Sequence, residues 1–302
     1  MIRGKQVVVT VASGSHAEKL DDTFLSFTQN PALELHAFIV DYKLPDKRFP
    51  QITYHLVAPD PAFSHPLRDM YYRRWEFIDR LDAEYALVVD NGDVLCLQPM
   101  PDIPVLLRGA AVGACVEHEG GRYLAGQKYV SCYLNAGLTL WDVAASREMR
   151  AKIVERGRAK YRGVEDQLTM NEVIQTLYYE QLIILPCQYN YRPYIGLKKS
   201  NWPTLNELDG VVCYHNSYCI EHAKRLLPVK THAELPPLEA DANPLTMREQ
   251  FWRRLQQRRE PHFVDGSFFR DIFDFRNASL GRIYKTLFGK TLSKNPARPN
   301  ES

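Results

Sequence analysis

The sequence predicts an α/β fold: one Rossmann-like domain with a mixed central sheet, followed by a C-terminal helical extension. Three observations predict it. β-Branched runs alternate with helix-compatible segments through the first hundred or so residues, the arrangement of βαβ units and a largely parallel sheet. From about residue 110 the pattern becomes strand-rich, as antiparallel additions to such a sheet would be. Beyond residue 225 the chain turns proline-rich and then basic and aromatic.

The first strand is Gln6–Ala12, built on Val7-Val8-Val9. The few residues before it contain neither a long apolar segment nor a small-residue cleavage site, so they read as the approach to a strand rather than a signal peptide. Ala17–Thr28 is helix-compatible, and Leu35–Asp41 and Ile52–Val57 are strand-like. Pro66 lies near the start of a helix running to Arg80, where its missing N–H is tolerated. Tyr85–Asp90 is a buried-type strand, and Ala110–Val116, Ser131–Trp141, Leu182–Leu185 and Gly210–His215 follow as further strands. Between them, Val143–Arg156 and Asp166–Tyr178 are helix candidates. The expected organisation is a main domain over 1–225, a proline-rich linker over 226–245, a basic aromatic helical extension over 246–289 and a disordered tail over 290–302.

With 302 residues, 45% hydrophobic and 25% charged, the chain can bury a sizeable core. No apolar run approaches the roughly 18–20 residues of a transmembrane helix. The cysteines at 96, 115, 132, 187, 213 and 219 form no Cys-x-x-Cys pair, and several lie in apolar strand-like runs. That usage fits reduced, packed thiols and a cytoplasmic protein better than a disulfide framework or a zinc site. Residues 247–302 hold 12 Lys and Arg against 6 Asp and Glu, whereas the rest hold 26 against 30. Basic character thus belongs to the C-terminal segment alone, which argues against a nucleic-acid binder. Two readings fit that segment. It lies on an anionic membrane surface, or it packs Trp252, Phe263, Phe268, Phe269, Phe273 and Phe275 on the main domain with its arginines in solvent. Partial packing with weak peripheral contact at the inner face of a membrane combines the two.

Chemistry concentrates where the run Tyr85-Ala86-Leu87-Val88-Val89 ends in Asp90-Asn91-Gly92-Asp93 and returns to Val94-Leu95. Carboxylates beside a core are costly unless paired or bound. At the carboxyl end of a strand in an α/β sheet they are well placed to hold a divalent cation against a diphosphate. A turn with solvated carboxylates is the other reading. Five further signals surround the cluster. The first strand exits into Ser13-Gly14-Ser15, past Thr10 and Ala12, where a flat ring would approach the backbone. Arg73 and Arg74 sit on the helix preceding the cluster, either neutralising phosphate or facing solvent. Asn135 and Gly137 interrupt the bulky strand around Tyr133–Trp141, and a strand glycine marks a bulge or a close approach. Asp166 and Gln167 open a helix, where capping also explains the acid. His215 ends the strand Val211-Val212-Cys213-Tyr214, as a structural residue or a metal ligand.

In their order these residues resemble family 8 nucleotide-sugar glycosyltransferases and their GT-A-fold relatives. Asn91-Gly92-Asp93-Val94-Leu95 resembles the family's Asp-x-Asp followed by Val-Leu, and Tyr133-Leu134-Asn135-Ala136-Gly137-Leu138 its aromatic, Asn- and Gly-bearing strand. Asp166-Gln167-Leu168-Thr169-Met170-Asn171 resembles its Asp-Gln helix start, Pro186-Cys187-Gln188-Tyr189-Asn190 its Pro-x-x-Tyr-Asn, and His215 its late metal-binding His. The resemblance covers roughly residues 5–220. Asn91 stands where the family has the first Asp, with Asp90 one place earlier, and the family's Gly and Lys-Pro-Trp after the His are not evident in Asn216-Ser217-Tyr218-Cys219-Ile220.

The resemblance implies a GT-A catalytic domain that moves a sugar, with retention, from a UDP-sugar to a glycan or glycolipid acceptor, as in surface polysaccharide or lipopolysaccharide synthesis. It implies Mn²⁺, or Mg²⁺, held by Asp93, His215 and either Asn91 or Asp90; mixed oxygen and imidazole ligation favours Mn²⁺ over Ca²⁺. Asn135, Gly137, Asp166 and Gln167 would line the donor sugar, with Asp166 on its hydroxyls and Gln167 near the anomeric carbon. Arg74 would support the diphosphate, and Thr10 and Ala12 the nucleoside. A catalytically silent nucleotide-sugar or glycan-binding protein on the same fold is the alternative that Asn91 motivates. An unrelated Rossmann-like nucleotide enzyme fits less well, since no Gly-x-Gly-x-x-Gly or Walker-type loop follows the first strand.

Overall fold

The computed structural model describes residues 4–20, 22–63, 66–116, 134–159, 166–191 and 211–215. The valine-rich start forms β1 (Gln6–Ser13), buried along its whole length, flanked by parallel β2 (Leu33–Val40) and β4 (Tyr85–Val89). β3 (Ile52–Val57) extends the parallel half beyond β2 and leaves Leu56 exposed at the edge. On the other side β7 (Leu134–Asp142) runs antiparallel to both β4 and β6 (Val112–Val116), and β8 (Leu182–Ile184) is parallel to β6. The resulting seven-stranded order is β3-β2-β1-β4-β7-β6-β8, the mixed α/β sheet expected. The chain winds outward from β1 through β3, then restarts at β4 on the opposite side of β1. A crevice forms at the carboxyl ends of strands at such a switch point.

α2 (Pro66–Phe77), α4 (Arg147–Ala159) and α5 (Asp166–Leu177) cover one face, where Trp75, Trp141, Ile153 and Ile174 share a core with Val7 and Val9. The other face buries Val8, Phe24, Phe27 and Leu106 beneath α1 (Asp22–Leu25) and α3 (Ile103–Leu107). Tyr72 lies directly over Gly157, whose missing side chain lets α2 and α4 approach; a Cβ there would sit 2.2 Å from Tyr72 Cδ1.

Several expectations are corrected. The helix over Ala17–Thr28 breaks into a 3-10 turn (Gly14–Lys19), the single turn of α1 and a second 3-10 turn (Ser26–Gln29). Hydroxyls compete with the helical ladder there: Ser26 donates to the Thr23 carbonyl, and Thr28 to that of Leu25 at 2.7 Å. The helix expected from Val143 starts at Arg147, because Asp142 caps the intervening turn, accepting from the Ala145 N–H at 2.9 Å. Most consequentially, the late strand does not join the central sheet. Its described part, β9 (Cys213–His215), pairs antiparallel with β5 (Val94–Cys96) in a separate two-stranded sheet.

Among the described residues no helix is long and apolar enough to cross a membrane, and Cys96, Cys115 and Cys213 are buried free thiols. The linker, the extension and the tail assigned to 226–302, with their aromatic residues and the membrane contact expected there, lie outside the described residues.

Candidate functional site

The site begins where β4 ends. Asp90 donates its backbone N–H to the Gly137 carbonyl at 2.9 Å, so β7 holds the strand exit in place. Gly92, at φ +84, then reverses the chain into β5. In the β5–β9 ladder Val94 faces His215, which sets Asp93 next to the imidazole. His215 Nε2 lies 3.6 Å from Asp93 Oδ2 and 3.8 Å from Asp90 Oδ2, and one ligand atom from each of the three residues falls within 4.8 Å of the others. Gly137 forms the floor beneath them. A Cβ at that position would sit 2.2 Å from His215 Cε1 and 2.7 Å from Asp90 Oδ2, so a side chain would occupy the same space.

Arg74 reaches the cluster from α2 with its side chain only 5% exposed. Its Nη1 donates to Asp90 Oδ1 and its Nη2 to Asp166 Oδ2, both at 2.5 Å. Burial alone would pull the guanidinium down, but Asp166 and Asp90 hold it above its ordinary value. Burial pushes the Asp166 carboxyl up; Arg74 opposes this and the charge of Asp90 adds to it. Neighbouring Tyr71 is raised by burial and by the same carboxylates. Arg74 thus pairs with two carboxylates, and a third, Asp93, stands beside Asp90 and His215, a formal excess of two negative charges that a divalent cation would cancel.

Amides build the adjoining wall. Asn171 accepts from the Leu134 N–H at 2.7 Å and donates to the Leu134 carbonyl at 2.9 Å, fastening α5 to the edge of β7. Gln167 Oε1 then accepts from the Ala136 N–H at 3.1 Å and faces Asn135 Nδ2 at 3.5 Å. Asn135 Oδ1 accepts from the Gly137 N–H at 2.9 Å.

A cleft of about 270 Å³ opens in front, lined by Val11, His16, Tyr71, Arg74, Asn91 and Asp93 among others. Thr10 and Ala12 are fully buried, and the Thr10 hydroxyl donates to the Val89 carbonyl at 3.0 Å. The β1 side chain that reaches the cleft is Val11, between them. Asn91 donates through Nδ2 to the His16 carbonyl at 3.0 Å, while its Oδ1 is buried with no hydrogen-bond partner among the described residues. Asp93 Oδ1 is in the same condition. Buried acceptors of this kind are normally satisfied, so two of them at one cleft suit a ligand that supplies cation or hydroxyl.

No protein-family profile and no curated protein matches the sequence. Among solved structures the chain is similar to an active-site mutant of LgtC at 16% identity, with 82% of this chain and 94% of that one covered and a TM-score of 0.43. It is similar also to the galactosyltransferase LgtC in complex with donor and acceptor sugar analogues, at 18% identity over the same shares and a TM-score of 0.43. A third is the glycosyltransferase GlyE of Streptococcus pneumoniae TIGR4, at 16% identity, with 90% of this chain and 64% of that one covered and a TM-score of 0.41.

The fold brings together Asp90, Asp93, His215, Arg74, Asp166, Asn135, Gly137 and Gln167. Two carboxylates, one imidazole, an orphaned Asp93 oxygen and the glycine floor fit a divalent cation. Of the two candidates for the third ligand, Asp90 faces His215, and Asn91 turns its amide nitrogen to His16. Sequence reasoning assigned no role to His16, Tyr71 or Asn190. Asn190 carried a local signal as the last residue of Pro186-Cys187-Gln188-Tyr189-Asn190, and Tyr71 as the first of Tyr71-Tyr72-Arg73-Arg74-Trp75.

Proposed function

We propose that this chain is a metal-dependent glycosyltransferase that takes a sugar from a UDP-sugar and passes it, with retention, to a glycan or glycolipid acceptor. The observation that carries the reading is the Asp90–Asp93–His215 group, set against Arg74 at the carboxyl end of β4 with an excess of negative charge. Ordered resemblance from Asn91-Gly92-Asp93 through His215 supports the sugar-nucleotide chemistry.

Asp90, Asp93 and His215 would hold the cation, with Mn²⁺ favoured by the mixed donor set and Mg²⁺ the alternative. When bound, it supplies charge stabilisation to the departing diphosphate. Arg74 keeps Asp90 oriented and holds Asp166 at the mouth of α5, where its carboxylate would accept donor-sugar hydroxyls. Gln167, fixed through the Ala136 N–H, would present a neutral amide beside the anomeric carbon. A neutral amide cannot act as a strong base. That supports a front-face route in which the acceptor hydroxyl passes its proton to the leaving diphosphate. Asn91 Oδ1 and Val11 would meet the nucleoside side of the donor.

Calorimetric titration of UDP, with GDP and CMP as controls, each in Mn²⁺ and in chelator, tests the reading. Metal-dependent UDP binding is the expected result. Binding indifferent to metal, without turnover of any UDP-sugar, would favour the silent binding protein that Asn91 motivates. Absence of nucleotide binding would overturn both.

A further inference from the structure

Asn190 lies behind His215, away from the two carboxylates, and its hydrogen bonds have a direction that can be traced to the backbone. A backbone N–H only donates, so it fixes the polarity of whatever accepts from it. The Gly137 N–H donates to Asn135 at 2.9 Å, which makes the accepting atom Oδ1. At the other end of the same side chain, Nδ2 faces Gln167 Oε1, itself the acceptor of the Ala136 N–H at 3.1 Å. Two backbone donors therefore orient the Asn135 amide independently.

The chain of consequences continues outward. Asn190 lies 2.9 Å from Asn135 Oδ1, so it presents its Nδ2 there as donor. Its Oδ1 then faces His215 Nδ1 at 2.9 Å. An amide oxygen accepts only, hence Nδ1 must carry a proton. In the neutral ring Nε2 is then bare, and Nε2 is the nitrogen turned to Asp93 and Asp90. The relative placement of Asn190 and His215 is rigid as well. Tyr191 donates its N–H to the Cys213 carbonyl and accepts from the His215 N–H, each at 2.8 Å, so the backbone next to Asn190 is bonded into β9.

We propose that Asn190 is a positioning residue that locks His215 in its Nδ1–H tautomer, through the relay Gly137 N–H, Asn135, Asn190, His215, and so keeps the Nε2 lone pair aimed between Asp90 and Asp93. This rests on the reading of those residues as cation ligands. Partners that orient a ligating imidazole are worth about 10–100-fold in metal affinity. Asn135 also faces Gln167 through its Nδ2, so one amide stands between the imidazole and the donor-sugar side of the site.

The test is long-range ¹H–¹⁵N NMR of the metal-free full chain labelled at histidine, under conditions where the ring is neutral. His215 is assigned by comparison with His215→Gln. The wild type is expected to show a protonated Nδ1 and a bare Nε2, and Asn190→Ala a mixture of the two tautomers. Mn²⁺ affinity, read by electron paramagnetic resonance, should fall about 10–100-fold in Asn190→Ala. A wild-type ring protonated at Nε2 overturns the proposal, and so does an unchanged Nδ1–H ring in Asn190→Ala. Should that variant fail to fold, the wild-type spectrum alone still decides the direction of the relay. A wild type in the Nδ1–H form that takes up no Mn²⁺ would overturn the cation reading while leaving the lock intact.

Discussion

Val94 and His215 face each other across the two-stranded ladder of β5 and β9, so Asp93 and the imidazole are positioned by one register. The pairing described spans three residues on each side, and a change at Asp93 is expected to act locally. Asp93→Asn should leave the fold intact, abolish metal-dependent UDP binding and lower transfer about 100-fold or more, the scale of several kcal/mol of lost charge stabilisation. Parallel calorimetry and donor-turnover assays check this; turnover near the wild-type rate would remove Asp93 from the cation site.

Gly137→Ala should be the most damaging small substitution at the site. The added methyl would fall 2.2 Å from His215 Cε1, on a backbone tied to Asp90 by a 2.9 Å hydrogen bond. Overpacking of this kind costs about 1–3 kcal/mol. Loss of Mn²⁺ binding together with a lowered unfolding midpoint is the expected pair of results, read by titration and thermal denaturation.

Arg74 is the sole cation of the described residues bonded to both Asp90 and Asp166. Arg74→Ala leaves Asp90 and Asp166, both only partly buried, without the cation they share and should destabilise the fold by less than the roughly 3–5 kcal/mol of a fully buried broken pair. Arg74→Lys retains the charge without the planar fork that reaches both acids. It should recover much of the stability but little of the transfer rate, a separation that chemical denaturation and kinetics together would reveal.

Acid sensitivity is expected far from the cleft, at the parallel edge of the sheet. His36 Nδ1 and His55 Nε2 are 3.0 Å apart, with His55 stacked on Phe38, so one ring donates and the other accepts. Burial lowers both rings from the ordinary 6.5; Glu34 opposes this at His36 and Lys5 adds to it, while the charges of His36 and Arg80 add to it at His55. With folded values depressed, their stabilisation is present above about 6.5 and is lost as pH falls below it, where the unfolded chain takes up protons first. The unfolding midpoint should drop between about pH 7.5 and 5.5, and His55→Phe should flatten that slope.

Gly157 makes the opposite case to helix propensity. Alanine is favoured over glycine inside a helix by about 1 kcal/mol, yet here its Cβ would press 2.2 Å from the Tyr72 ring. Gly157→Ala should therefore destabilise, with thermal denaturation as the measure; a raised midpoint would show that α2 and α4 can separate without cost.

The strands and the cluster Asp90–Asp93 were legible because their signals are local: β-branched runs, an acidic strand exit, a glycine where the chain must turn. Asp166 and His215 were likewise visible as residue types at element ends, and Arg74 as a cation on the helix before the acidic cluster. What sequence could not supply was pairing. The detachment of β9 from the main sheet depends on Leu95 and Tyr214 meeting across a long separation, which no window of residues encodes. The breaking of the helix at Ala17–Thr28 turns on the hydroxyls of Ser26 and Thr28, which choose carbonyls over the ladder. Nor did the first strand show that Val11 rather than Thr10 or Ala12 meets the cleft, since all three lie in one uninterrupted buried run.

Among the described residues, all seven strands of the main sheet precede residue 185, whereas His215 follows at the end of β9. The sequence up to Ile184 therefore carries every strand described for that sheet but only the two acids of the proposed donor set. In the proposed site, capture of a cation by all three groups waits for β9, the last of the described strands.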